Sequence, residues 1–300
     1  MKRIVFVFAL LLSALDANSQ ILYKISGNGL DKPSYILGTL HVMDGTFTDS
    51  IPGLDCAFED VEQVCGEVDF SKMNLLSISI RSYLANYLPD SMRIDDCLDE
   101  QELDELNACL NEYYGLDLNN PIMYNQFKNL TPYAVAMQIA NVLTADIYEP
   151  CKTTMIDEYM QNIARDGGKG VVALESWDFQ IELMFGLYDG LDRGKELLMS
   201  YVRYSDEVRN SQIAMLEAYK MQNLDELDYA IAQLIDVPYG HTEQEYNEIF
   251  KNRNLQWIEL MPEVMSDKPT MFVVGAGHLT GKYSVLKLLK EEGYKVVAVK

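Results

Sequence analysis

Met271-Phe-Val-Val-Gly275-Ala-Gly-His278, near the end of the chain, is a short apolar run that leads into Gly-x-x-His. Ser34-Tyr-Ile-Leu-Gly38-Thr-Leu-His41, near the start, has the same arrangement. Each run has the length and composition of a buried β-strand. The chain has only three histidines, and histidine is both a common metal ligand and a common general acid or base. We therefore expect the two ends of the chain to build one site.

The remaining strand-like segments are few and widely separated, at 22–26, 63–68, 171–174 and 294–299. Segments 22–26 and 34–38 are joined by Gly27-Asn28-Gly29, which predicts a β-hairpin. Neither half of the chain has enough strand for its own sheet. The pattern predicts an α/β fold, with a single mixed sheet assembled from both chain ends. One domain, 20–300, would carry large helical insertions at about 71–165 and 176–262.

Composition narrows the classes of function. Residues 1–19 begin with Lys2 and Arg3, continue with an apolar run, and end in small residues, which predicts a signal peptide and an exported, periplasmic or secreted protein. The alternative is a retained N-terminal anchor, which the shortness of the apolar run disfavours. No later segment is apolar enough to span a membrane.

The chain has 46 acidic and 24 basic residues, so its negative electrostatic field repels nucleic acids and anionic lipid surfaces. Of its five cysteines, Cys97 and Cys109 are the best candidate pair in an oxidising compartment.

Four ionisable residues lie just beyond apolar strands: His41, Glu67, Glu175 and His278. In open α/β sheets, ligands bind beside the carboxyl ends of the strands. Two histidines with one or two carboxylates can hold Zn²⁺, Mn²⁺, Co²⁺ or Fe²⁺. Such an ion activates water for hydrolysis, and a remaining carboxylate can act as general base.

Small residues accompany these positions. Gly38 and Gly275 would allow a sharp turn at the strand end, and Gly277 would allow a close approach of backbone to a ligand. Structural roles compete with these interpretations. Glu67 could end a solvated strand, and Glu175 could cap the helix that begins near Ser176.

Other sequence features point away from a site. His241 precedes a capping box, Thr242 to Glu245, in a polar loop, so we interpret it as a surface residue. A helix is expected after Ser50, with Pro52 in its first turn.

Two other enzyme classes fail on this sequence. The segment from Gly275 to Gly281 imitates a dinucleotide fingerprint, but the next strand ends the chain without the acidic residue that would bind ribose. No Gly-x-Ser-x-Gly elbow of a serine hydrolase is present.

With both Gly-x-x-His motifs in view, the chain resembles the TraB/GumN family, which includes the Tiki-type metalloproteases. Shorter matches are Glu67-Val-Asp, Leu130-Thr-Pro-Tyr133, Leu174-Glu175 and Arg253-Asn254. The resemblance implies a fold akin to the erythromycin-esterase and ChaN-like group. It also implies a metal-dependent peptidase that uses Mn²⁺ or Co²⁺, with His41, Glu67 and His278 as ligands or catalytic groups. Arg253 would position a substrate carbonyl or orient a carboxylate. Cys65-Gly66 departs from the aromatic residue common before Glu67, which would loosen the wall beside that carboxylate.

These observations lead to an expected function and one alternative. We expect an exported metal-dependent hydrolase that acts on peptides or proteins, with Glu175 and Arg253 supporting the metal site. The alternative is an envelope protein that binds a metal, a haem-like cofactor or a peptide in the same pocket without cleaving it. The sequence leaves the oligomeric state open.

Overall fold

The computed structural model describes residues 20–187 and 190–300, so the predicted signal peptide at 1–19 lies outside the described residues. The strands are β1 Leu22–Ser26, β2 Ser34–Thr39, β3 Gln63–Gly66, β4 Gly170–Ala173, β5 Thr270–Gly275 and β6 Lys295–Ala298. They form one six-stranded sheet in the order β4-β3-β5-β2-β1-β6. The predicted single mixed sheet of an α/β fold is therefore confirmed.

The directions of the strands bring residues from both ends of the chain to the same edge of the sheet, the edge at the carboxyl ends of the parallel strands. β1 pairs antiparallel with β2, as the hairpin prediction required. β2 pairs parallel with β5, β5 with β3, and β3 with β4. Because the carboxyl ends of parallel strands share an edge, the residues that follow β2, β3, β4 and β5 meet there. Every residue of β2 and β5 is buried, so the centre of the sheet is fixed by core packing.

Helices fill the long connections. They are α1 Leu54–Glu59, α2 Leu75–Asn86, α3 Glu100–Tyr114, α4 Pro121–Phe127, α5 Pro132–Thr144, α6 Ile156–Asp166, α7 Trp177–Gly186, α8 Leu191–Arg203, α9 Ser205–Lys220, α10 Leu224–Ala232, α11 Glu243–Tyr246, α12 Asn252–Asp267 and α13 Val285–Glu291. A π-helix, Asn247–Lys251, joins α11 to α12. One hydrophobic cluster surrounds the sheet, and a second lies among α3, α4, α5 and α8. None of the described helices has the length and apolarity that a membrane span requires.

Two local predictions are wrong. The helix expected after Ser50 begins only at Leu54. Gly53, the residue before it, has a left-handed conformation with φ 73°, which does not continue an α-helix. The predicted pairing of Cys97 with Cys109 does not occur, and all five cysteines are free thiols. Cys109 packs in the helical core, whereas the Cys97 thiol donates to the Arg93 carbonyl.

Candidate active site

The two Gly-x-x-His histidines share one carboxylate. His41 Nε2 lies 3.9 Å from Glu67 Oε1, and His278 Nε2 lies 3.8 Å from the same oxygen. The three residues follow β2, β3 and β5, which are neighbours in the sheet. The expectation that folding brings both imidazoles to one acidic partner is met.

Both oxygens of the buried Glu67 carboxylate accept hydrogen bonds. Its Oε1 accepts from the Gly275 backbone N–H at 2.7 Å, and its Oε2 accepts from Gln180 at 3.0 Å and from Arg253. Burial alone would raise the pKa of Glu67. The charges of His278 and His41 in their protonated forms and of Arg253, together with the Gly275 N–H, outweigh it and hold this pKa well below its usual range. Glu67 is therefore ionised, and it is a weak base.

Glu175 and Arg253 form a buried ion pair behind Glu67. Arg253 donates through Nε to Glu175 Oε1 at 2.8 Å and through Nη2 to Glu175 Oε2 at 2.9 Å. Trp257 and Gln180 also donate to Glu175, each at 2.8 Å. Burial disfavours the guanidinium, but the two carboxylates raise the pKa of Arg253. The helix cap after β4 is Ser176, whose side chain accepts from the Phe179 N–H, so Glu175 is not needed as the cap.

His278 is fixed in one tautomer by Asn254. The Asn254 amide nitrogen donates to the carbonyls of His278 and Tyr283 at 3.2 and 2.8 Å. Its oxygen therefore faces His278, and His278 Nδ1–H donates to it at 2.6 Å. His278 Nε2 accepts from Arg253 Nη1 at 3.0 Å. Burial lowers the pKa of His278 to about 3. The Glu67 charge acts in the opposite direction, and the charges of Arg253 and His41 lower this pKa further.

His41 differs from His278 in being open to solvent, with 60% of its side chain exposed. Its Nδ1 lies 3.0 Å from Asp157 Oδ2, and Thr39 donates to Asp157 Oδ1 at 2.8 Å. Desolvation opposes the charged ring, but the charge and hydrogen bond of Asp157 raise the pKa of His41 to about 9. Asp157 is absent from the sequence prediction, because it lies in the first turn of α6 rather than at a strand end.

The predicted glycines are needed for space, and none of them has a positive φ. A Cβ on Gly275 would lie 3.0 Å from His41 Nε2, and one on Gly38 would lie 2.8 Å from Leu279 Cδ1. A Cβ on Gly277 would lie 2.5 Å from Phe250, whose ring packs on His278. The third histidine, His241, is partly buried near Arg193 and Glu245 rather than at this site.

The three side chains predicted as metal ligands lie close together but do not form a metal site in this structure. Within residues 20–187 and 190–300, no group of three or more His, Cys, Asp or Glu side chains is arranged so that it could hold a metal ion. Nε2 of each histidine lies within 4 Å of Glu67 Oε1, and each ring has an acceptor near Nδ1: Asp157 for His41 and Asn254 for His278. Acceptors of this kind orient metal-binding histidines. For an ion to bind His278 Nε2, the contact that must break is the one from Arg253 Nη1.

The profile of the TraB/PrgY/gumN family matches residues 21–298, nearly the whole chain. The chain belongs to the TraB/PrgY/gumN family. The matched range contains His41, Glu67, Glu175, Arg253 and His278. No curated protein and no solved structure shows significant similarity to the chain.

Proposed function

We propose that this TraB/PrgY/gumN protein is an exported, metal-dependent hydrolase of peptides or proteins. The observation that carries the proposal is the approach of His41 Nε2 and His278 Nε2 to one oxygen of Glu67, at 3.9 and 3.8 Å. When bound there, a divalent ion such as Mn²⁺, Co²⁺, Zn²⁺ or Fe²⁺ would polarise a substrate carbonyl and lower the pKa of a bound water.

The side chains divide into ligands and supports. His41, Glu67 and His278 would hold the ion, and the low pKa of Glu67 suits a ligand better than a general base. Glu175 is nearly enclosed, with Arg253, Trp257 and Gln180 on its oxygens. Its part is to hold the Arg253 guanidinium in place, not to reach the substrate.

The surroundings favour an apolar peptide as the substrate. α2 and α7 are the α-helices that follow Glu67 and Glu175 in the chain, and Gln180 of α7 contacts both carboxylates. These two helices expose large apolar side chains at Leu76, Ile80, Phe179 and Met184. Exposed apolar side chains on these helices would provide contacts for substrate side chains, whereas the acidic chain repels phosphate-bearing substrates.

One observation favours the alternative of metal or peptide binding without cleavage. Glu67 and His278 are buried, and only His41 of the three proposed ligands is open to solvent. A scissile peptide bond would have to approach from the side of His41. A site that only stores an ion or holds a peptide end needs no such access.

Peptide cleavage in the presence of Mn²⁺, Co²⁺ or Zn²⁺ separates the two functions. We expect the wild type to cleave members of a diverse peptide library, and His41→Ala and His278→Ala each to lose cleavage and metal binding. His241→Ala removes a histidine elsewhere and serves as the matched control. Tight metal binding with no turnover on any peptide would replace the hydrolase with the binding protein. Cleavage that persists in both site variants would reject the site altogether.

Export is tested separately. Fractionation of the producing cells and N-terminal sequencing should find a protein outside the cytoplasm that begins at Gln20. A protein that retains residues 1–19 in the cytoplasm would contradict the proposed export without affecting the hydrolase.

A further inference from the structure

Arg253 occupies the inner side of the proposed metal site. Its side chain is only 6% exposed, and its guanidinium reaches Glu175, Glu67 and His278 at once. Its Nη1 has a second acceptor, the Ile249 carbonyl at 3.1 Å. Ile249 belongs to the π-helix Asn247–Lys251, and π-turns of this kind occur frequently at functional sites.

Arg253 and a metal ion require the same electron pair. With Nδ1 protonated toward Asn254, the His278 ring has one lone pair, on Nε2. That lone pair accepts from Arg253 Nη1 at 3.0 Å. An ion bound to Nε2 would need this position, and it would also meet the positive charge of the guanidinium across a short distance.

We infer that Arg253 competes with the divalent ion for the lone pair of His278 Nε2, and so limits the affinity of the site for metal. The inference rests on the proposed metal site and adds its regulation. Nη1 can release His278 and keep Ile249, while Nε and Nη2 stay on Glu175. The displacement needed is therefore confined to one contact. Arg253 would keep the carboxylates neutralised between ions, and metal exchange would not require the fold to open.

The competition is tested by whether replacing Arg253 makes metal binding tighter or weaker. Calorimetric titration with Mn²⁺ and Zn²⁺ should show Arg253→Gln binding at least about tenfold tighter than the wild type, because a neighbouring positive charge is gone. Arg253→Lys keeps the charge and should stay closer to the wild type. Arg209→Gln removes a cation that pairs with Asp146 elsewhere, and we expect no change. Weaker binding by Arg253→Gln would overturn the inference and make Arg253 a positioning residue for the ligands.

A measurement on the wild type covers the case in which Arg253→Gln does not fold. In ¹⁵N-labelled protein titrated with Zn²⁺, the hydrogen-bond coupling between Arg253 Nη1 and His278 Nε2 should disappear as the site fills. Its persistence in the metal-loaded protein would overturn the competition. If wild type and variants all fail to bind any ion, the proposed metal site and the competition fall together. If they bind but in the reverse order, only the competition falls.

Discussion

Gly275→Ala tests the shared site without altering any charge or hydrogen-bonding group. An alanine Cβ at this position would lie 3.0 Å from His41 Nε2 and 3.3 Å from Glu67 Oε1. Gly275 has φ −52° and ψ 133°, which any L-residue can adopt. The new methyl group therefore acts through space alone, and it pushes His41 away from Glu67.

The expected cost in stability is small. Overpacking a well-filled position costs about 1–3 kcal/mol, and replacing glycine with alanine returns about 0.4–1 kcal/mol by restricting the unfolded chain. His41 is 60% exposed, so its ring can yield, and we expect a net loss of about 1 kcal/mol or less. Function is less tolerant, because a misplacement of about 1 Å can cost about 100-fold. Metal affinity and peptide cleavage should each fall by at least about tenfold.

Urea unfolding and calorimetric titration with Mn²⁺ measure the two effects on the same preparation. Gly186→Ala is the matched control, because its Cβ would meet nothing within 4 Å. Unchanged metal binding by Gly275→Ala would show that His41 and Glu67 do not act on a common ion. A loss of more than about 3 kcal/mol would show that the His41 ring cannot yield.

Three further changes test the supports of the site. Asp157→Asn should lower the pKa of His41 from about 9 toward its ordinary value, as followed by NMR titration of the ring. The same variant should bind metal about 10–100-fold more weakly. An unchanged pKa of His41 would contradict the role of Asp157. Glu175→Gln should destabilise the protein by about 3–5 kcal/mol in urea, because Arg253 loses a buried partner; a loss below about 1 kcal/mol would mean that Gln180 and solvent replace it. In excess chelator, the free energy of unfolding should fall as the pH drops below 6.5. The reason is that His278 in the unfolded chain binds a proton in this range, whereas in the folded protein, with a pKa of about 3, it stays neutral. His278→Gln should flatten that slope between pH 6.5 and 4.5 by up to about 1.4 kcal/mol per pH unit, and equal slopes would show that the folded ring titrates freely.

The sequence was most informative where strands end. His41, Glu67 and His278 each follow a short apolar run, and a parallel sheet makes equivalent positions meet at one edge. Glu175 follows β4 in the same way, and it lies behind Glu67 through Arg253 and Gln180. This part of the site depends only on strand order and direction, which the apolar pattern and the two Gly-x-x-His motifs indicate.

The supporting residues carry no such signal. Asp157 lies in the first turn of α6, where acidic residues are common because they favour the positive end of a helix. Gly66 was expected to loosen the wall beside Glu67, yet a Cβ there would lie 2.3 Å from Gln161 Nε2. That amide fills the space and donates to the Val68 carbonyl at 2.7 Å. Contacts between distant helices and loops decide both roles, and local sequence does not report them.

The balance of charge gives an independent reason to expect a cation at this site. Glu67, Glu175 and Asp157 bring three negative charges together, and Arg253 and the protonated His41 supply two positive ones. One negative charge then remains uncompensated, and it attracts a further cation. If His41 gives up its proton to bind a divalent ion, the same five side chains and the ion sum to zero. The chain's large acidic excess hides this balance in the composition, and only the fold selects which carboxylates must be neutralised.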